Sequence, residues 1–300
     1  MSFTFGKVLI TIYLFIFPLW VYGGNKTIVT LFFTSSNNGM LKHCDCPVDN
    51  RGGLARRKTL LDSLKQITKN CFVLDTGNFL SSYRRLEWDR KVLKIYKHLG
   101  YTAVNVGSYE LKYGLSFLSE MSSLGIYLIS ANLMDSEKED LVTIPYKKEI
   151  IKGKSFLIIG LISSKAIKFL PDEPKSEIEI APYVFSLKTI LKKVNEKNPI
   201  VIILSQLTEE ENLSLIDTVP QKINVILGNC SRDYPNGWYR IYKNTILAKA
   251  GVGGKTVGKV KMVFDKDWNR SDCSVDFISV GDNLRENPQI IHLLNQWRVE

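Results

Sequence analysis

A chain of 300 residues with 45% hydrophobic content can bury a sizeable core, and it carries no internal repeat or low-complexity linker, which excludes solenoids and tethered modules and favours one domain. Its formal charge of +10 is spread over helix faces, as at Lys188, Lys192, Lys193 and Lys197, with no basic stripe interleaved with aromatics. Nucleic-acid binding is therefore not expected, while an anionic partner or membrane surface stays open.

Residues 1–23 place one charge, Lys7, ahead of the apolar run Val8 to Phe17, then Pro18 and a small residue at Gly23. This layout reads as a secretory signal peptide cut near Gly23 or Gly24, and implies an exported, periplasmic or extracellular protein. The alternative is an uncleaved anchor, although the run falls short of the roughly 20 residues that span a bilayer. Export also bears on the five cysteines, because an odd number leaves at least one outside any disulfide framework.

The apolar run Ile28 to Phe33 predicts a strand, and Leu54 to Ile67 an amphipathic helix. Between them lies a long polar loop, Thr34 to Arg57. Strands are then expected at Cys71 to Leu74, Thr102 to Val106 and Tyr127 to Leu133, and helices at Leu86 to Leu99, stopped by Gly100, and at Leu115 to Leu124. Tyr146 to Ile151 and Phe156 to Ile162, split by Lys152-Gly153-Lys154, read as a hairpin. A helix over Pro182 to Lys197, a strand over Ile200 to Leu204, a helix over Glu209 to Ile216 and a strand over Asn224 to Leu227 follow. From Trp238 onward only strands are expected, Trp238 to Tyr242, Thr245 to Ala250, Gly258 to Phe264 and Cys273 to Val280, until a closing helix over Asn287 to Trp297. Alternating strands and helices followed by a β meander suggest two sheets packed face to face with helices outside.

In α/β proteins the loops at the carboxyl ends of strands collect ligands, so the loop after the first strand is the first place to look for chemistry. Thr34-Ser35-Ser36-Asn37-Asn38-Gly39 followed by Gly52-Gly53-Leu54-Ala55-Arg56-Arg57 resembles the calcineurin-like metallophosphoesterases, in the branch of 5′-nucleotidases and UDP-sugar hydrolases. Scaffold residues recur in order: Asp75-Thr76-Gly77, Gly107, Ala131-Asn132-Leu133, Gly228, and Ala250-Gly251 through Gly254. The resemblance covers Thr27 to Ser279. It implies a four-layer α/β/β/α sandwich of two mixed sheets over residues 27–300, with no room for the C-terminal nucleotidase domain of that branch.

The resemblance also implies five loops holding two metal ions, whose bridging water attacks phosphorus. At those positions this sequence departs from the family. Ser36 and Asn38 replace an Asp and a His in the first motif, and Asn78 replaces the bridging Asp of the second. Ser108 and Tyr109 stand in Gly107-Ser108-Tyr109-Glu110 where Asn and His belong, Gln206 replaces the His of a Ser-His pair, and Asn229 and Ser231 replace the two His of the fifth motif. Neutral polar groups bring almost none of the charge that two divalent ions require. The expectation is a protein that has lost binuclear metal catalysis and serves as a ligand- or partner-binding pseudoenzyme, its ligand or envelope partner unidentified; the alternative is an active metal-dependent phosphohydrolase acting on nucleotides or other phosphoesters.

Two further groups stand out. His43, Cys44 and Cys46 on the first loop and Cys230 on the fifth offer thiolates and imidazole, a donor set suited to zinc or copper, although a structural disulfide would use the same cysteines. Cys71 and Cys273 read as small apolar strand residues. Arg56 and Arg57, opening a helix behind two glycines, suggest an anion site; the competing reading has one packed along the helix and the other solvated. His98 is expected as a cation at a helix end, His292 and the aromatic group Trp238, Tyr239 and Tyr242 as packing residues.

Overall fold

The computed structural model describes residues 26–43, 49–219, 223–229 and 235–297. In chain order the elements are β1 (Thr27–Thr34), α1 (Leu54–Ile67), β2 (Cys71–Asp75), α2 (Leu86–Leu99), β3 (Ala103–Asn105), α3 (Leu115–Ser123), β4 (Leu128–Ile129), β5 (Leu133–Asp135), β6 (Tyr146–Ile151) and β7 (Lys154–Ile162). There follow α4 (Asp172–Ser176), β8 (Ile178–Ile180), α5 (Tyr183–Lys193), β9 (Ile200–Gln206), α6 (Glu209–Thr218), β10 (Val225–Asn229), β11 (Trp238–Tyr242), β12 (Thr245–Ala250), β13 (Thr256–Phe264), β14 (Arg270–Ser279) and α7 (Pro288–Gln296).

Two six-stranded sheets carry the fold, ordered β14-β13-β1-β2-β3-β4 and β11-β12-β10-β9-β7-β6. Each is parallel in the middle, where helical crossovers connect the strands, and antiparallel toward an edge, where hairpins do. β1 is buried along nearly all its length because it lies inside the first sheet with both faces covered, and its sequence is accordingly mostly apolar, with Thr30 the one polar residue between Ile28 and Phe33. Leu31, Phe33, Ile158, Ile202 and Leu227 pack between the sheets. Val92, Leu93, Tyr96 and Leu99 of α2 cover the outer face of the first sheet together with Ile290 and Leu294 of α7, and Leu187, Leu215 and Ile216 of α5 and α6 cover that of the second. The order of layers is α/β/β/α, and the helical period of α2 ends at Gly100, whose φ of 75° is left-handed.

Three stretches depart from the sequence reading. The strand expected over Tyr127 to Leu133 is interrupted after Ile129, because the Ser130 and Ala131 amides turn away to the carbonyls of Ile144 and Gly160. Asn132 then donates to the carbonyls of Ile162 and Ala181 and accepts from the Ile162 amide, so β5 starts a separate two-stranded sheet with β8. That partner strand and the short helix α4 lie in a stretch with no periodic signal. The helix expected to Lys197 stops at Lys193, where Val194 turns extended. His292 is exposed on α7 against Gln296 instead of packing inward, and Tyr239 of the edge strand β11 is 48% exposed.

Candidate functional site

The parallel strands β1, β2, β3, β9 and β10 all deliver their carboxyl ends to one edge of the sandwich, and the replaced positions sit on the loops leaving them. Asn78, Gln206 and Asn229 form a ladder of side-chain amides across three of these loops. The Asn78 Nδ2 donates to Gln206 Oε1 at 2.9 Å, and Gln206 and Asn229 exchange reciprocal amide bonds of 3.0 and 2.8 Å. Gln206 Nε2 also donates to the Thr76 carbonyl at 2.5 Å, and the Thr76 hydroxyl to Asn229 Oδ1 at 2.8 Å. At the far end Asn78 Oδ1 accepts from the Tyr109 amide at 3.1 Å and the Ser108 hydroxyl at 3.3 Å. Both hydrogens of the Gln206 amide and both acceptor directions of its oxygen are thus committed inside the protein.

Backbone geometry fixes the first two loops in register. The Ser36 amide donates to the Gly77 carbonyl and the Asn38 amide to the Asn78 carbonyl. Ser36, Asn38 and Asn78 all have left-handed backbones, with φ of 44°, 55° and 57°, a region that Asn tolerates better than most residues. Asn at two of these positions is therefore explained by conformation. The Asn38 residue is exposed and takes no part in the ladder, while Ser36 is 7% exposed. Gly77, at φ 100°, permits the closure, because a Cβ there would lie 2.8 Å from the Asn105 carbonyl oxygen and 3.2 Å from Gln206 Nε2.

Beneath the ladder, two buried carboxylates hold the loops. Glu110 accepts from the amides of Asn78, Gly107 and Leu80 at 2.8, 2.8 and 3.0 Å; burial pushes it up to about 7 in spite of these donors. Asp75 accepts from Thr34 Oγ1 at 2.5 Å, the Gly77 amide at 2.8 Å and the Tyr96 hydroxyl at 3.2 Å, and burial raises it to about 6 against those bonds and the Arg57 charge. Both carboxylates point their oxygens at protein donors beneath the amides, so neither adds a free anionic ligand to the ladder.

The candidate anion site at Arg56 and Arg57 resolves differently. Arg57 is fully buried, donating to Asn37 Oδ1 at 2.5 Å and to the hydroxyls of Tyr96 and Tyr101 at 3.2 and 3.4 Å. Arg56 is 7% exposed and donates to the Asn50 carbonyl at 2.6 Å. Neither presents a guanidinium to solvent, so the two serve as internal ties between α1 and the loop before it. His43 pairs with Glu286 at 3.5 Å. Cys44, Cys46, Cys230 and Ser231 lie outside the described residues. Cys71 and Cys273 are unpaired and half-buried, and burial raises the Cys71 thiol. The ring of His98 meets Gln289 at 3.3 Å, and desolvation with Lys97 and Lys58 nearby lowers its pKa.

Asn105, missed in the sequence, is the staple between the sheets. Fully buried at the end of β3, it donates from Nδ2 to the carbonyls of Leu204 and Leu161 at 2.9 and 3.1 Å. Its signal was a single polar residue inside an apolar strand. Beside the ladder opens a cavity of about 350 Å³ whose wall includes Tyr109, Ala166, Leu170 and Leu207, with Gln206 at its inner end. Lys112 also reaches it, but its ammonium is tied to Asp89 at 2.7 Å and to the Ser81 carbonyl.

The fold is found in known proteins. An apyrase from Aedes albopictus is 26% identical over 284 residues, which are 82% of this chain and 49% of the apyrase. A 5′-nucleotidase precursor from Thermus thermophilus superposes with a TM-score of 0.74 at 20% identity, over 90% of this chain and 58% of that one. The calcineurin-like phosphoesterase YfkN from Bacillus subtilis superposes with a TM-score of 0.70 at 18% identity, over 90% and 96%. The chain has the fold of these 5′-nucleotidases and calcineurin-like phosphoesterases and is similar in sequence to the apyrase. No protein-family model matches it. It spans about half the length of the curated relatives it matches.

A metallophosphoesterase centre needs oxygen and imidazole ligands free to face the ions. Here the side chains at the described positions are neutral, and three of the amides are hydrogen-bonded to one another. Among the described residues no three His, Cys, Asp or Glu cluster in a way that could hold a metal ion. The donor set does not fit a binuclear centre, and no hydrolytic step is derived through one.

Proposed function

We propose that this protein is a binding protein on the metallophosphoesterase scaffold that does not perform binuclear phosphoester hydrolysis. The observation that carries this reading is the amide ladder, Asn78–Gln206–Asn229. Its hydrogen bonds link the loops that metal ions would otherwise draw together, and opening it to ligate an ion would leave several amide groups without partners. Amide oxygens bring no net charge to balance two divalent ions or to generate a metal-bound hydroxide at neutral pH. Export belongs to the same proposal, supported by the charge-then-apolar layout of residues 1–23.

Purified protein supplied with manganese, cobalt or zinc is expected to release no phosphate from AMP or p-nitrophenyl phosphate above a heat-treated control. Metal-dependent turnover that disappears in Asn78→Ala would overturn the reading and restore phosphohydrolase activity to this chain.

A further inference from the structure

The cavity beside the ladder has uncommitted hydrogen-bond donors and few open side-chain acceptors. The Tyr109 hydroxyl and the exposed Lys165 ammonium line it with no hydrogen-bond or ion-pair partner among the described residues. Of the other polar side chains on the wall, all but the exposed Ser82 are engaged inside the protein. Gln206 is consumed by the ladder, the Ser163 hydroxyl donates to Glu211 and accepts from the Lys165 amide, and the Thr208 hydroxyl donates to Glu210 and accepts from the Glu211 amide. The Ser108 hydroxyl donates to Asn78 Oδ1. A molecule entering this space is therefore asked to accept hydrogen bonds at one end and to fill an apolar wall with the rest.

Charge narrows the class further. Lys112 is neutralised by Asp89, which leaves Lys165 as the one unpaired ammonium on the described wall. Glu210 and Glu211 at the start of α6 stand behind Ser163 and Thr208, and disfavour a second negative charge on the ligand. A volume of about 350 Å³ falls within the range of small-molecule sites, roughly 300–1,000 Å³. We propose that this cavity binds a small apolar monocarboxylate, its carboxylate on Tyr109 and Lys165 and its body against Ala166, Leu170 and Leu207. The proposal deepens the binding reading given above, and it is tested by affinity and not by turnover.

Isothermal titration of the full chain with 1-naphthoate, 1-naphthamide and 1-naphthyl phosphate separates the outcomes. Saturable binding of 1-naphthoate is expected, about tenfold tighter than 1-naphthamide through the charge-assisted bond, and no weaker than 1-naphthyl phosphate. Tyr109→Phe, a near-isosteric change, and Lys165→Gln should each weaken 1-naphthoate by about five- to tenfold. Ala166→Trp, checked for an unchanged melting temperature, should abolish binding by filling the cavity. No binding of 1-naphthoate at millimolar concentration, preference for the phosphate, or affinity indifferent to both Tyr109→Phe and Lys165→Gln would overturn the assignment. Release of fluorescent 1-naphthol from the phosphate would instead overturn the non-hydrolytic reading, so the two failures are distinguishable.

Discussion

At the scale of single residues, the positions that the resemblance reads as ligand positions divide into those tied into the neighbouring loops and those that are not. Gln206 makes four hydrogen bonds, so Gln206→Ala should cost about 1–3 kcal/mol in urea unfolding, because amides on two neighbouring loops lose partners at once. Asn38→Gly should lie within about 0.5 kcal/mol of the parent, since the side chain is exposed and glycine keeps the left-handed backbone. The two buried carboxylates set a pH dependence. Asp75 and Glu110 stand at about 6 and about 7 against ordinary values of 3.8 and 4.5, so the folded state holds protons that the unfolded chain has released. Their contribution to stability is full below about pH 4 and is lost as pH rises through 6 and 7. Melting temperature should accordingly fall from pH 5 to pH 8, and Glu110→Gln should flatten the upper part of that slope while lowering the whole curve, since an amide cannot accept from all three backbone donors. A melting temperature that rises with pH across this window in the parent would contradict the sign.

At the scale of elements, α1 is positioned by charge inside the core. Gly53 precedes the helix with a positive φ and no side-chain cap, so the start of α1 draws on other ties. Arg57 supplies them: it reaches Asn37 on the first loop and the hydroxyls of Tyr96 and Tyr101 behind it, and Tyr96 passes the link to Asp75 at the end of β2. Arg57→Met should destabilise the protein by about 3 kcal/mol or more in urea unfolding, as removal of one side of a buried charge network usually does. The same substitution should bring disproportionate hydrogen-exchange labelling to the Ser35–Gly39 turn, because Asn37 loses its guanidinium partner. Uniform labelling across the molecule would instead make Arg57 a general core residue. The capping box of α6, Thr208 with Glu211, is a separate local device that needs no such internal charge.

At the scale of the whole molecule, the first sheet joins strands from both ends of the described chain: β1 lies between β13 and β2. Asn105 of β3 ties that sheet to the second. Among the described residues no helix is long and apolar enough to cross a membrane. If the N-terminal segment directs export, N-terminal sequencing of protein recovered outside the cytoplasm should begin at or near Gly24. An N-terminus at Met1 in the membrane fraction would identify the segment as an anchor.

The sequence by itself determined the layer order and most of the strands and helices, because local periodicity carries that information: β1 and β7 are apolar runs, α2 has its helical face and its Gly100 stop, and the glycine-bearing turns recur in family order. It also placed neutral polar residues at the positions where the family resemblance would put metal ligands. What those residues do was not legible in their identities. Asn78, Gln206 and Asn229 are separated by 128 and 23 residues, and only the parallel register of β9 and β10, with the sheet of β2 packed against theirs at Asn105, brings their amides within hydrogen-bonding distance. Arg57 looked in sequence like an anion receptor at a helix start, and became an internal tie because the packing of α2 and the Tyr101 turn surrounds it with acceptors. Amphipathic patterns record which face of an element is buried, whereas the partner of a polar group is a property of long-range contacts that a local pattern does not encode.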